Sequence, residues 1–295
     1  MRARKMHADE VDTDEVLVRR LLAAQFPSWA DLPIEGIPSA GTDNAIYRLG
    51  NDMAVRLPRI HWAVSQVEKE HLWLPILAGQ LPLAIPVPLA KGDPAEGYPW
   101  QWSVYRWLEG GNAGTDRIDD LRQAALDLAQ FIAALRAIDP TGGPHHGRGA
   151  ALETRDASTR DAIRALRGMI DCEAVTAAWE AALQAPAWDG APVWFHGDIL
   201  PRNLLVDRGR LSAVIDFGCL GVGDPACDLM IAWELFSGPS RDVFRAELAV
   251  DDATWARGRG HALSRALVFI PYYVETNPAG VGHARRAIDE VLADR

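Results

Sequence analysis

The chain has 295 residues, 48% of them hydrophobic and 24% charged, the proportions of an ordinary soluble globular protein with length for two domains. A net charge of −10 argues against a nucleic-acid partner, which needs a basic face, and no apolar run is long and unbroken enough to cross a bilayer. Cys172, Cys219 and Cys227 lack paired spacing, which excludes a disulfide framework or structural zinc site. The basic N-terminus has no apolar stretch behind it, so the expected location is the cytoplasm.

In chain order, residues 8 to 25 read as a helix, with Val11, Leu17, Val18, Leu21 and Leu22 at helical spacing. Around Gly36, Gly41 and the Gly50-Asn51-Asp52 turn, the pattern shortens to three antiparallel strands. A helix is expected from Ala63 to Leu74, ended by Pro75 or followed there by a second short one. Two more strands, joined by a Gly92–Gly97 loop, complete a small sheet over residues 33 to 108.

Beyond "EGGNAG" the pattern turns helical. Leu121, Leu128, Ile132 and Leu135 make one stripe behind a cap at Asp119 or Asp120, and a further helix is expected over Arg155 to Ile170. Short strands return at Val193–Phe195, Leu204–Val206 and Leu211–Ile215, and helix follows from Asp224 on. The reading is an α+β chain: an N-terminal lobe over 1–108, a hinge about 103–110 and a mainly helical lobe over 109–295. A cleft between the two is where a ligand is expected.

The chemistry concentrates in "WFHGDILPRNLL" and "VIDFG". Asp198 and Asn203 lie on a loop between apolar strands, and Asp216 ends the strand "LSAVID". A carboxylate and a carboxamide held on facing strands are oxygen ligands suited to Mg²⁺, which leaves Asp198 to orient or deprotonate a hydroxyl. Phosphoryl transfer needs that positioning and charge neutralisation more than covalent chemistry. The turn Ser39–Asn44, with Ser39, Gly41, Thr42 and Asn44, carries a single glycine and reads equally as an ordinary hairpin or as one that drapes backbone N–H groups over phosphates.

With "HGDILPRNLL", "VIDFG" and "GDPACDL", the chain resembles the aminoglycoside phosphotransferase family, a branch of the protein-kinase-like fold, over nearly its whole length. The resemblance implies a two-lobed fold with an antiparallel-sheet N-lobe. It implies Asp198 as the catalytic aspartate, Asn203 and Asp216 as Mg²⁺ ligands, and His196 and Asp228 as supports of the catalytic loop. Arg56 of "MAVRLPR" stands where protein kinases carry a lysine. Its expected partner is Glu70, which shares a helix face with Val67 and Leu74, in preference to Glu68. "WSVYRWLEG" matches the hinge, which implies nucleotide contacts at Arg106 and Leu108 with Tyr105 behind them. ATP is expected as donor, with GTP the alternative that Tyr105 suggests.

Family substrate sites lie between the catalytic loop and the C-terminal helices. There Glu234, Tyr272, Tyr273 and Glu275 are the candidates for a cationic small-molecule acceptor. An aminoglycoside or another hydroxyl-bearing antibiotic is the leading acceptor, an amino alcohol or sugar the alternative, and a monomer or homodimer the expected state. Two other classes stay open: a catalytically silent nucleotide binder, and a metal-dependent hydrolase using His196, Asp198 and Asp216.

Overall fold

The computed structural model describes residues 10–37 and 43–294. The chain divides into two compact units, Met1–Glu109 and Gly110–Arg295.

In the first unit, α1 (Glu15–Gln25) is followed by β1 (Ile34–Ile37), β2 (Asn44–Leu49), β3 (Met53–Pro58), α2 (Val64–Ala78), β4 (Pro88–Gly92) and β5 (Trp102–Arg106). The strands form one sheet in the order β1-β2-β3-β5-β4 with antiparallel neighbours. Strand alternation assigns its two faces. Val55, Leu57, Trp102 and Val104 join Leu17, Val18, Leu21 and Leu22 of α1 in one buried cluster. The residues between them, Arg56, Ser103 and Tyr105, meet α2 on the other face.

Two boundaries differ from the sequence reading. The first helix starts at Glu15, because Asp14 is extended and its carboxylate accepts from the Leu17 N–H at 2.7 Å. Val11 is instead held as extended chain through its N–H to the Arg59 carbonyl. Pro75 neither ends α2 nor opens a second helix; the helix runs on to Ala78. A proline there forfeits one backbone bond, and the burial of both Leu74 and Leu77 keeps the last turn in place.

The second unit begins with β6 (Gly111–Asn112) and α3 (Leu121–Ala137), then α4 (Asp156–Ala165), α5 (Cys172–Leu183) and β7 (Val193–Phe195). The hairpin β8 (Leu204–Asp207) and β9 (Arg210–Val214) follows, then β10 (Gly221–Gly223), α6 (Ile231–Glu234), α7 (Pro239–Leu248), α8 (Asp252–Tyr273) and α9 (Pro278–Ala293). β8 lies between β6 and β9, and β7 pairs with β10. Asp120 caps α3, so Leu121 falls in the exposed first turn instead of on the buried stripe. α4 stops at Ala165, short of the expected Ile170, just before Gly168 at φ +82°, a conformation that favours glycine and ends helices. α5 and β10 are additions to the sequence reading. Among the described residues no helix is long and apolar enough to cross a membrane.

Candidate active site

The motif "HGDILPRN" occupies the loop between β7 and β8, and a buried carboxylate holds its start. Asp228 accepts from the N–H of His196 at 2.8 Å and of Gly197 at 2.7 Å. Gly197 sits at φ +82°, and a Cβ there would lie 2.7 Å from the Cys219 carbonyl, so both torsion and space require glycine. Burial raises the Asp228 carboxyl above its ordinary pKa, against the lowering by His196, the two amides and Arg136.

His196 braces the same loop. Its Nδ1 accepts from the Asp198 N–H at 3.2 Å, and its Nε2 lies 3.1 Å from the Ile215 carbonyl, which assigns the proton to Nε2. With both ring nitrogens engaged, the ring ties the loop to the end of β9. Among the described residues no group of three or more His, Cys, Asp or Glu side chains is placed to hold a metal. The three-ligand centre of the hydrolase alternative is therefore not built.

Asp198 is buried, 6% exposed. Its Oδ2 accepts from Arg202 at 2.6 Å and from Asn203 Nδ2 at 2.9 Å, and its Oδ1 lies 3.4 Å from Arg148. Burial pushes the carboxyl up, but Arg202, Arg148 and then Arg265 outweigh it and hold it below the usual carboxylate range. Asn203 Nδ2 also donates to the Asp198 carbonyl at 2.8 Å, so its amide nitrogen is turned inward. The Asn203 carbonyl accepts from the Ile215 N–H at 2.8 Å, which sets Asp216 beside it. Asp216 adopts a left-handed conformation, φ 64° and ψ 68°, uncommon for a residue with a Cβ. Asn112 donates from Nδ2 to the Arg202 carbonyl and anchors the far side of the loop.

In the first unit, Arg56 Nη1 forms an ion pair with Glu70 at 2.6 Å, while Glu68 is exposed and faces Lys91 at 3.6 Å. Arg56 Nη2 donates to Gln66 at 3.2 Å, and the Asn44 amide oxygen, turned to the guanidinium, accepts from Nη2 at 2.9 Å. Behind them the Tyr105 hydroxyl donates to Glu70, and burial, then the Glu70 charge, raise its pKa. Arg106 is exposed and gives its N–H to the Val87 carbonyl, while Leu108 is partly buried. Ser39, Gly41 and Thr42 lie outside the described residues.

The four acceptor candidates differ in burial and in pairing. Glu234 is buried and ion-paired with Arg265 at 2.6 Å, so its charge is already matched within the protein. Tyr272 is exposed, its ring against Tyr273, and Glu275 is exposed beyond the end of α8. The residues that do surround Asp198 are Arg148, Arg202 and Arg265. Arg148 and Arg265 escaped the sequence reading because each meets Asp198 only through the fold. Arg202 lay inside the quoted motif, one helical turn from Asp198.

The family model described as the phosphotransferase enzyme family matches residues 34–261. No curated protein matches the sequence. Among solved structures, the GDP and kanamycin complex of an APH(2") enzyme superposes with a TM-score of 0.73 at 19% identity, covering 95% of this chain and 100% of that one. The streptomycin–ATP ternary complex of APH(2")-IIa gives 0.60 at 17% identity, covering 92% and 96%. The macrolide 2'-phosphotransferase MphH from Brachybacterium faecium gives 0.61 at 22%, covering 96% and 99%. At these identities the likeness is one of fold: the protein-kinase-like fold of small-molecule phosphotransferases.

Proposed function

The chain belongs to the phosphotransferase enzyme family, and from that premise we propose that it moves the γ-phosphate of ATP or GTP to a hydroxyl of a small molecule in the cytoplasm. One observation carries the reading. Asp198 and Asn203 lie on a loop whose backbone is held by Asp228 and His196, and the Ile215 N–H on the Asn203 carbonyl brings the end of β9, where Asp216 follows, to that loop. Rigid placement is what this reaction asks of a protein, because the transition state is loose and catalysis is mainly positioning and charge stabilisation.

Asp198 orients the acceptor hydroxyl and takes its proton as the oxygen–phosphorus bond forms. A carboxyl held below its ordinary pKa is a weak base, so its main work is orientation, with proton transfer late along the path. Asn203 and Asp216 would hold Mg²⁺: the Asn203 amide nitrogen is committed inward, which leaves the carboxamide oxygen and the neighbouring carboxylate as hard oxygen donors. Bound there, Mg²⁺ supplies charge neutralisation for the nucleotide phosphates. We assign Arg56, fixed by Glu70, as the phosphate contact of the first unit, Ser39, Gly41, Thr42 and Asn44 as the phosphate turn, and Arg106 and Leu108 as base contacts. A hydroxyl-bearing antibiotic is the first acceptor class to test, since kanamycin, streptomycin and macrolides appear in the names of the structural neighbours.

The test is Mg²⁺-dependent release of ADP or GDP across hydroxyl-bearing antibiotics, amino alcohols and sugars, with Asp198→Ala beside the wild type. Acceptor-stimulated release should fall about 10²- to 10⁴-fold in the variant, with its circular dichroism unchanged. Release that survives in Asp198→Ala would refute the assignment. Nucleotide binding without release for any acceptor would favour the silent binder.

A further inference from the structure

The reading above leaves open which oxygen of Asp198 meets the acceptor, and the hydrogen bonds on the two oxygens differ. Oδ2 accepts two ordinary bonds, from Arg202 at 2.6 Å and from Asn203 Nδ2 at 2.9 Å. Oδ1 has one donor among the described residues, Arg148 Nη2, at 3.4 Å, beyond the usual range of about 2.7–3.2 Å for such a bond. An ionised carboxyl offers about four lone-pair sites over its two oxygens. Those of Oδ2 are taken, and those of Oδ1 are largely open.

Arg148 reaches Oδ1 from a loop built for close approach. Residues 144–149 are tied to β10 and its end by two backbone bonds: the Val222 N–H donates to the Pro144 carbonyl at 2.9 Å, and the Asp224 N–H to the Gly149 carbonyl at 3.3 Å. A Cβ at Gly149 would overlap the Phe195 ring, and one at Gly221 would lie 2.7 Å from the same ring, so loop and strand both come nearer to it than a side chain allows. The Arg148 N–H donates to His146 Nδ1 at 3.2 Å, which closes the short turn Gly147–Gly149.

The catalytic loop meets that turn directly. A Cβ at Gly197, the residue before Asp198, would lie 3.2 Å from the Arg148 Cβ. The stem of Arg148 is thus packed where the loop turns, and its side chain is still 26% exposed. A guanidinium stays charged and carries its donors in a rigid fork, so a fixed stem gives it one direction of approach to Oδ1.

We propose that Oδ1 is the Asp198 oxygen that receives the acceptor hydroxyl, and that Arg148 is the positioning residue that aims it. This rests on the phosphotransferase reading and gives the proton its place within it. The hydroxyl oxygen bonds phosphorus as the bond from phosphorus to the leaving diphosphate breaks, the hydroxyl proton passes to Oδ1, and Arg148 keeps its own protons throughout. Arg202 and Asn203 hold Oδ2 still, while Arg148 sets the rotation of the carboxylate about that anchor.

The experiment asks whether Arg148 acts through Asp198. Mg²⁺-dependent hydrolysis of ATP and of GTP, with water in the acceptor's place, is followed beside release with the antibiotic, amino-alcohol and sugar acceptors. Arg148→Gln, Arg148→Lys and Arg202→Gln are compared with the wild type, and Arg148→Gln is also combined with Asp198→Ala. Arg164→Gln, which removes a guanidinium from an exposed position, is the control, and a melting temperature is recorded for every variant.

Misplacing a reacting group by about 1 Å costs about 10²-fold in rate, and Arg148→Gln should lower kcat on that scale with nucleotide KM little changed. The fall should exceed that of Arg202→Gln, where Asn203 still holds Oδ2, and Arg148→Lys should recover part of it. In the Asp198→Ala background Arg148→Gln should cost nothing further, as for residues that act as a unit. Undiminished kcat in Arg148→Gln overturns the proposal while leaving phosphotransfer intact. A further loss on top of Asp198→Ala places Arg148 on the substrates themselves and overturns it too, and a larger fall in Arg202→Gln makes Oδ2 the receiving oxygen. Equal losses in Arg148→Gln and Arg148→Lys that follow a lowered melting temperature assign Arg148 to loop packing alone, against the proposal. A wild type that releases no diphosphate, with water or with any acceptor, removes the phosphotransferase reading and the proposal with it.

Discussion

Arg56, partly buried, and Asp198, buried, each face an opposite charge, but the two surroundings are built differently. Around Arg56 the Glu70 carboxylate lies at 2.6 Å, Gln66 and Asn44 accept from the guanidinium, and the Tyr105 hydroxyl donates to Glu70. Around Asp198 one carboxylate is shared by Arg202 and Arg148 within reach of Arg265, and Asn203 donates to it as well. The first fixes a cation through a carboxylate and neutral groups, whereas the second fixes a carboxylate through several cations.

Breaking the balanced site should cost the fold most. Arg56→Ala leaves Glu70, 1% exposed, as a buried carboxylate with only the Tyr105 hydroxyl beside it. Truncating one partner of a buried pair costs about 3–5 kcal/mol, so urea unfolding of this variant should show a loss of that order. Arg56→Lys keeps the charge but not the fork that reaches Gln66 and Asn44, and a loss of about 1 kcal/mol is expected. Equal losses for the two variants would mean that hydrogen-bond geometry, not charge, holds the pair together.

The Asp198 site should respond in rate before stability. Arg202→Gln removes one of the two donors to Asp198 Oδ2 while Asn203 and Arg148 stay in place, so the carboxylate loses part of its orientation without being stranded. A charge-assisted hydrogen bond is worth about 1.5–3 kcal/mol, and kcat should fall about tenfold or somewhat more, with nucleotide KM and the unfolding midpoint little changed. Steady-state kinetics over both substrates checks this. A fall in stability with unchanged kcat would make Arg202 a structural partner only.

The contrast between the two sites also explains what was legible beforehand. The balanced pair could be read from local periodicity: alternation puts Arg56 on one face of β3, and Glu70 shares a face of α2 with Val67 and Leu74. The catalytic loop was legible because Asp198, Asn203 and Asp216 lie within one strand-loop-strand unit. The cations beyond the motif were not. Arg148 and Arg265 come from a short turn and a long helix, 50 and 67 positions from Asp198 and 117 from each other. Net composition pointed the opposite way, since −10 for the whole chain says nothing about one corner. The helix boundaries that moved did so for local reasons, a cap at Asp14 and a left-handed Gly168, each weighing more than the hydrophobic period.

His261 offers the smallest and most specific measure of that corner. Burial, and then Arg155, Arg148 and Arg257, lower its pKa to about 3, against about 6.5 for an exposed imidazole. In the folded protein it is therefore neutral across the range where the unfolded chain takes up a proton. The unfolded state binds more protons below pH 6.5, so stability is full above that value and is lost as the pH falls from about 6.5 toward about 3. The loss is on the order of 1 kcal/mol per pH unit. His261→Leu removes the proton uptake together with two ring nitrogens that have no partner among the described residues. Its melting temperature should match or exceed the wild type's at pH 7.5 and exceed it by several degrees at pH 5. Parallel acid sensitivity in the two proteins would place the positive field elsewhere.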